Sequence, residues 1–174
     1  IMLTDKLKNF IKDYPDFPKN GIIFKDLCPI LCEPNVFSDL IENMSSKEMY
    51  KKTDAIVAID ARGFIFGSAI AYRIKKPLIL ARKKNKLPGD LIQKDYGLEY
   101  GEDSLSMQIS SISSFQTFVI VDDLLATGGT AKCIFDLLSS KNKNVLGLNV
   151  VVELSGLGGK KMLDCPVYPE ITLD

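Results

Sequence analysis

One stretch limits the choice of fold more than any other: Phe118 to Ala131, FVIVDDLLATGGTA. Phe118, Val119, Ile120 and Val121 form a short apolar run rich in β-branched residues, which reads as a buried strand. Asp122 and Asp123 close it. Ala126-Thr127-Gly128-Gly129-Thr130 then makes a hydroxyl- and glycine-rich turn, and a helical apolar pattern follows from Thr130 to Ser139. Such a turn can aim several backbone N–H groups at one anion, and the dipole of the following helix adds favourable potential. The carboxylates just upstream can accept hydrogen bonds from sugar hydroxyls. An anion cradle beside a diol acceptor suits a ribose 5-phosphate.

Other apolar runs repeat the theme. Asp54–Asp60, Pro77–Ala81 and Val145–Leu154 read as buried strands, and Gly63–Ile74 as a helix between the first two. Continuous apolar strands alternating with helices predict an α/β domain with a central, mostly parallel sheet flanked by helices. Ligands of such sheets bind at the carboxyl ends of the strands. Three strands here end in polar or charged residues: Asp60-Ala61-Arg62, Arg82-Lys83-Lys84 and Asp122-Asp123. Upstream, Asp5–Tyr14 reads as an amphipathic helix stopped by Pro15 and Pro18. Asn20-Gly21 reads as a turn, Gly21–Leu31 as a loop or short strand, and Asn35–Met49 as a helix capped by Asn35. Residues 82–104 exceed an ordinary connection in length. Cations, turn residues and acids follow one another there, which predicts a β-arm or hood with a mobile tip. Leu105, Met107 and Ile109 then alternate with polar residues as a strand would. The expectation is one domain over residues 1–174, with an N-terminal segment of about 1–35.

Composition narrows the chemistry. The chain of 174 residues has zero formal net charge, which argues against nucleic acid or a membrane surface as partner. It has no histidine, which excludes a Ser-His or Cys-His nucleophile pair. Four cysteines without metal-ligand spacing fit a reduced, cytoplasmic setting better than a disulfide framework. Of the 22 basic residues only Arg62, Arg73 and Arg82 are arginine, so each needs a reason. Arg62 stands at a predicted helix entrance, where its planar fork of donors can hold a pyrophosphate beside free N–H groups. Arg73, mid-helix, reads as structural.

The 121–130 stretch VDDLLATGGT resembles the phosphoribosyl-pyrophosphate (PRPP) signature of the type I phosphoribosyltransferases. It is neither a GxxxxGK[ST] nor a GxGxxG motif. Further segments extend the likeness to the adenine-specific branch of that family. These are DFPKNGIIFKDLCPIL (Asp16–Leu31), DARGFIFG (Asp60–Gly67), RKKNKLPG through LEYG (Arg82–Gly101) and VVELSGLGGKKML (Val151–Leu163). They cover nearly the whole chain in the family's order. Two departures stand out: Asp60-Ala61 where the family usually has Glu-Ser, and Lys25 where arginine is common.

The resemblance implies the type I phosphoribosyltransferase fold and the reaction of adenine with PRPP to give AMP and pyrophosphate, with Mg2+ as cofactor. It implies that Asp122, Asp123, Ala126, Thr127, Gly128, Gly129 and Thr130 hold the ribose and its 5-phosphate. Arg62, Arg82 and Lys86 would neutralise the pyrophosphate. Ile23, Phe24 and Lys25 would bind adenine, Phe24 by stacking. Glu99 would move a proton at the base while Tyr100 closes the lid. No dedicated metal ligand set is implied: Mg2+ would ride mainly on substrate and water, near Asp122 and Asp123. The C-terminal segment 151–163 would lie beside the base, and the family implies a homodimer. Two alternatives stay open at this point: a phosphoribosyltransferase for another nucleobase, and a non-catalytic PRPP-binding regulator.

Overall fold

The structure, a computed structural model, describes residues 2–98 and 101–174. It comprises two compact units, Ile1–Met44 and Ser45–Asp174.

In the first unit, helix α1 (Leu3–Phe10) is shorter than expected and ends where Ile11 donates its N–H to the Leu7 carbonyl. The residues assigned to its last turn instead form strand β1 (Lys12–Pro15), paired antiparallel with β2 (Ile23–Asp26). Pro15 disfavours helix for the residue before it, so Tyr14 goes to the strand opposite Phe24. The Asn20-Gly21 turn is present, with Gly21 at φ 85° and its N–H donated to Asp16 Oδ1 at 2.8 Å. Phe17 meets Phe24 edge to face at 5.2 Å. Short helix α2 (Cys28–Leu31) follows, then α3 (Pro34–Ser45). The predicted 35–49 helix is therefore two. α3 starts at Pro34, whose missing N–H costs nothing in a first turn, and α4 (Glu48–Lys52) starts afresh.

The second unit is built on a sheet. Its elements after α4 are β3 (Ala55–Ile59), α5 (Gly63–Ile74), β4 (Leu78–Lys83), β5 (Leu91–Leu98), β6 (Gly101–Gln108) and α6 (Ile109–Ile112). Then come β7 (Thr117–Leu125), α7 (Gly129–Ser140), β8 (Asn144–Leu154) and β9 (Val167–Leu173), with two 3-10 turns between the last two strands. Among the described residues the strand order is β5-β6-β4-β3-β7-β8-β9. Strands β4 through β9 in that order are parallel, while β6 and β5 run antiparallel as the predicted arm.

Alternation along β3 explains how the helices seat. Val57 and Ile59 join Ile120, Val150 and the α7 residues Ile134 and Leu138 in one buried core. Ala58 points the other way, toward α5. A Cβ on Gly67 would stand 2.5 Å from the Ala58 methyl, so the helix comes as close to the sheet as a glycine allows. The connection from β3 goes to β4 on one side, whereas β7 and β8 build out on the other. The order of strand addition thus reverses at β3, the place where an open α/β sheet leaves a crevice at its carboxyl edge.

All four cysteines are free, and burial pushes the Cys133 and Cys165 thiols up to about 11. Among the described residues no helix is long and apolar enough to cross a membrane.

Candidate active site

A cavity of about 370 Å3 opens at the carboxyl ends of β3, β4 and β7. Three turns line it: Asp60-Ala61-Arg62 after β3, Lys83 at the end of β4, and the Asp122–Ala131 segment. Tyr96 and Asp103 reach it from the arm, and Leu148 and Val150 of β8 form an apolar wall.

The 122–131 segment has the expected strand, turn and helix with one difference. Asp122 and Asp123 do not terminate the strand; β7 runs on through them to Leu125, paired with β8. The two acids therefore stand on a rigid ladder. The loop Ala126-Thr127-Gly128 follows, and α7 begins at Gly129 with Gly128 as its N-cap at φ 91°. Only glycine enters that conformation without strain. The first N–H groups of α7 have no partner within the helix, so they face the cavity as anion donors.

The acids are electrostatically distinct. The Asp123 carboxylate accepts a hydrogen bond from Arg62 Nε at 2.5 Å, its side chain being 8% exposed and that of Arg62 51%. Asp122 Oδ1 accepts the Asp123 N–H at 2.8 Å. Desolvation first, and the neighbouring Asp123 second, push the Asp122 carboxyl well above its ordinary range. A carboxyl in that state gains from hydroxyl donors or a cation brought beside it. Arg62 is placed by α5, whose entrance it occupies, and so the 60–62 turn and the 122–131 segment line one cavity.

Not every expected residue comes here. Arg82 donates through Nε to Asp60 Oδ2 at 3.3 Å and lies 5.8 Å over the Phe64 ring. Asp60 Oδ2 also accepts the Lys83 N–H at 3.3 Å. The Asp60 departure thus fixes the end of β4, and Lys83 lines the cavity where Arg82 and Lys86 were expected. Lys86 is exposed in the turn after β4, its N–H bonded to the Lys83 carbonyl. Ile23, Phe24 and Lys25 form β2 of the first unit. Ile23 is 56% exposed, Phe24 is half-buried, and Lys25 Nζ pairs with Asp13 at 2.9 Å. Glu99 and Tyr100 lie outside the described residues.

Sequence reasoning missed Lys83, Tyr96 and Asp103. One signal for Tyr96 was readable: Ile92, Lys94 and Tyr96 share a face of β5, and Ile92 is buried. It also missed what stands behind the cradle, where Gly159 packs directly on Gly128.

A phosphate-binding turn, paired acids and a helix-entrance arginine around one crevice define a phosphoribosyl transferase, and the phosphoribosyl transferase domain family matches residues 30–168. An adenine phosphoribosyltransferase of Prochlorococcus marinus is 52% identical over 172 residues, covering 99% of this chain and 100% of that one. The solved adenine phosphoribosyltransferase of Thermoanaerobacter pseudethanolicus superposes with a TM-score of 0.91 at 39% identity, covering 99% of this chain and 100% of the other. That of Saccharomyces cerevisiae, complexed with an imino-altritol bisphosphate and adenine, gives 0.90 at 34% identity, covering 97% and 98%. The chain belongs to the adenine phosphoribosyltransferase family.

Proposed function

We propose that the chain transfers the 5-phosphoribosyl group of PRPP to nitrogen 9 of adenine, releasing pyrophosphate and forming AMP. The observation that carries this reading is the convergence of the 126–130 cradle, Asp122, Asp123 and Arg62 on one cavity. The C1–oxygen bond to pyrophosphate breaks as the bond to nitrogen 9 forms, through an oxocarbenium-like state. The protein's share is positioning and charge stabilisation. Ala126, Thr127, Gly128, Gly129 and Thr130 hold the 5-phosphate. Asp122 and Asp123 accept the ribose hydroxyls. Arg62, with Lys83 and with Arg82 and Lys86 from the arm side, faces the leaving pyrophosphate. Ile23, Phe24 and Lys25 bind adenine. Glu99 handles the base proton and Tyr100 closes over it.

The residues present fit Mg2+. Two adjacent carboxylates, one of them relieved by a positive neighbour, suit a hard cation that keeps waters and substrate phosphates as its main ligands. Among the described residues no cluster of three or more ligating side chains offers a closed metal cage. When bound, Mg2+ supplies charge neutralisation at the pyrophosphate. A homodimer, a cytoplasmic setting, and no nucleic acid or membrane partner complete the proposal, the free thiols fitting a reducing compartment.

The test offers adenine, hypoxanthine, guanine and uracil separately with PRPP and Mg2+. AMP from adenine is expected, with hypoxanthine disfavoured by ~10⁴-fold because it reverses donor and acceptor at the base edge. Turnover of 6-oxopurines would overturn the base assignment. PRPP binding without turnover of any base would make the chain a regulator.

A further inference from the structure

The arm brings an acid to a phosphate site, and that needs explaining. Asp103 of β6 lines the cavity, yet a bare carboxylate there would repel a phosphate. Its oxygens are both engaged. Oδ1 accepts the Ser104 N–H at 2.9 Å, and Oδ2 accepts the Tyr96 hydroxyl at 3.3 Å. Tyr96 and Asp103 are direct cross-strand partners in the β5–β6 ladder. The Tyr96 ring lies beside the first residue of α7: a Cβ on Gly129 would be 3.8 Å from Tyr96 Cδ2. Tyr96, Gly129 and Thr130 line the same cavity. The phenol therefore stands between the start of α7 and Asp103.

We infer that the Tyr96 hydroxyl is a further ligand of the 5-phosphate, carried to the cradle by the arm and held ready by Asp103. A phosphate held at the start of α7 lies beside the phenol. With that anion in place, the Tyr96 O–H turns from Asp103 to a phosphate oxygen. Asp103 keeps its backbone donor and the open side of the cavity. Burial pushes the phenol above its ordinary value, so it stays a donor across neutral pH. The arm then binds the ribose end of the substrate as well as covering it, and α7 and the arm meet on one ligand.

This rests on the proposed reaction, and its test separates the two. AMP and adenosine differ only by the 5-phosphate. Calorimetric binding of each is measured with the wild type, Tyr96→Phe and Asp103→Asn. Tyr96→Phe keeps the ring and its packing. It is expected to weaken AMP by ~10-fold, the scale of a hydrogen bond to a charged group, with adenosine unchanged. In turnover, the KM for PRPP should rise by a similar factor while the KM for adenine holds. Asp103→Asn should bind AMP at least as tightly as the wild type. AMP binding unchanged in Tyr96→Phe overturns the inference. So does equal weakening of adenosine, or a loss in Asp103→Asn matching that in Tyr96→Phe, since the tyrosine would then only brace the arm. A wild type that binds no AMP removes the proposed reaction itself, and this inference with it.

Discussion

Gly128 and Gly159 are packed back to back: a Cβ on Gly128 would stand 2.7 Å from the Gly159 carbonyl oxygen. The reverse approach is tighter still. A Cβ on Gly159 would be 2.4 Å from the Ala126 carbonyl oxygen and 3.0 Å from the Gly128 nitrogen. The second 3-10 turn after β8 is thus the floor beneath the 126–128 loop.

Gly159→Ala must push the cradle backbone, because carbonyl oxygens cannot rotate away as side chains do. The expected result is a KM for PRPP raised about tenfold, and a stability loss of about 1–3 kcal/mol from overpacking. Gly156→Ala, in the same segment with nothing within 4 Å of the added carbon, should change neither. Steady-state kinetics and thermal melts of the two variants check this.

Asp122 gives a pH prediction. Its carboxyl titrates above the ordinary range in the folded chain, so the fold holds its proton more tightly than the unfolded chain does. That contribution is fully present below the unfolded value and is lost as pH rises through the folded one. Asp122→Asn removes the loss. The variant should be more stable than the wild type at pH 8, and the gap should close toward pH 3. Urea unfolding at several pH values measures it. Under the proposed reaction, activity should fall as well.

On the sheet face opposite the cavity, stability and activity separate. The Tyr50 hydroxyl donates to Asn149 Oδ1 at 2.6 Å, and Asn149 Nδ2 donates to the Tyr168 carbonyl at 2.8 Å and to Glu170 Oε1 at 2.9 Å. Lys47 pairs with the same Glu170 oxygen. Asn149 sits between Leu148 and Val150, which line the cavity from the other side. Tyr50→Phe strands a buried amide oxygen, at a cost of about 1–3 kcal/mol. The melting temperature should drop by several degrees with kcat and both KM values unchanged, as calorimetry and kinetics on one preparation would show.

The parts of this fold that were legible in the sequence are those fixed by local rules. The Phe118–Ala131 unit announces itself by an unbroken apolar run and a glycine turn, and Gly63–Ile74 was delimited to the residue. The rest depended on partners far along the chain. β9 escaped notice because Pro169 sits inside it, which argues against a strand unless it is an edge, and β9 is the sheet's edge. β1 read as helix because its pairing with β2 comes from beyond the turn. In the site, Arg62 was legible from its place at a helix entrance. Lys83 was not, because its place in the cavity lining depends on how the end of β4 is held by Asp60, which bonds Arg82 and the Lys83 N–H. Tyr96 was obscured by the polar residues around it, and Gly159 by the distance in sequence from the loop it supports.

Arg62 is the strongest single test of the proposed chemistry. It spans the entrance of α5 and the Asp123 carboxylate, so it ties the 60–62 turn to β7 across the cavity. Half its side chain is exposed but Asp123 is buried, so Arg62→Ala leaves a buried carboxylate without this partner and should melt somewhat below the wild type. Turnover is another matter, since the charge on the departing pyrophosphate grows as the bond breaks, and a fixed donor there acts mostly on kcat. A fall in kcat of ~10²-fold or more is expected. Arg62→Lys should recover only a small part of it, because an ammonium cannot hold Asp123 and two phosphate oxygens with one planar fork. Single-turnover rates at saturating PRPP measure the effect. A lysine variant with wild-type turnover would reduce Arg62 to a point charge and remove bidentate recognition from the site.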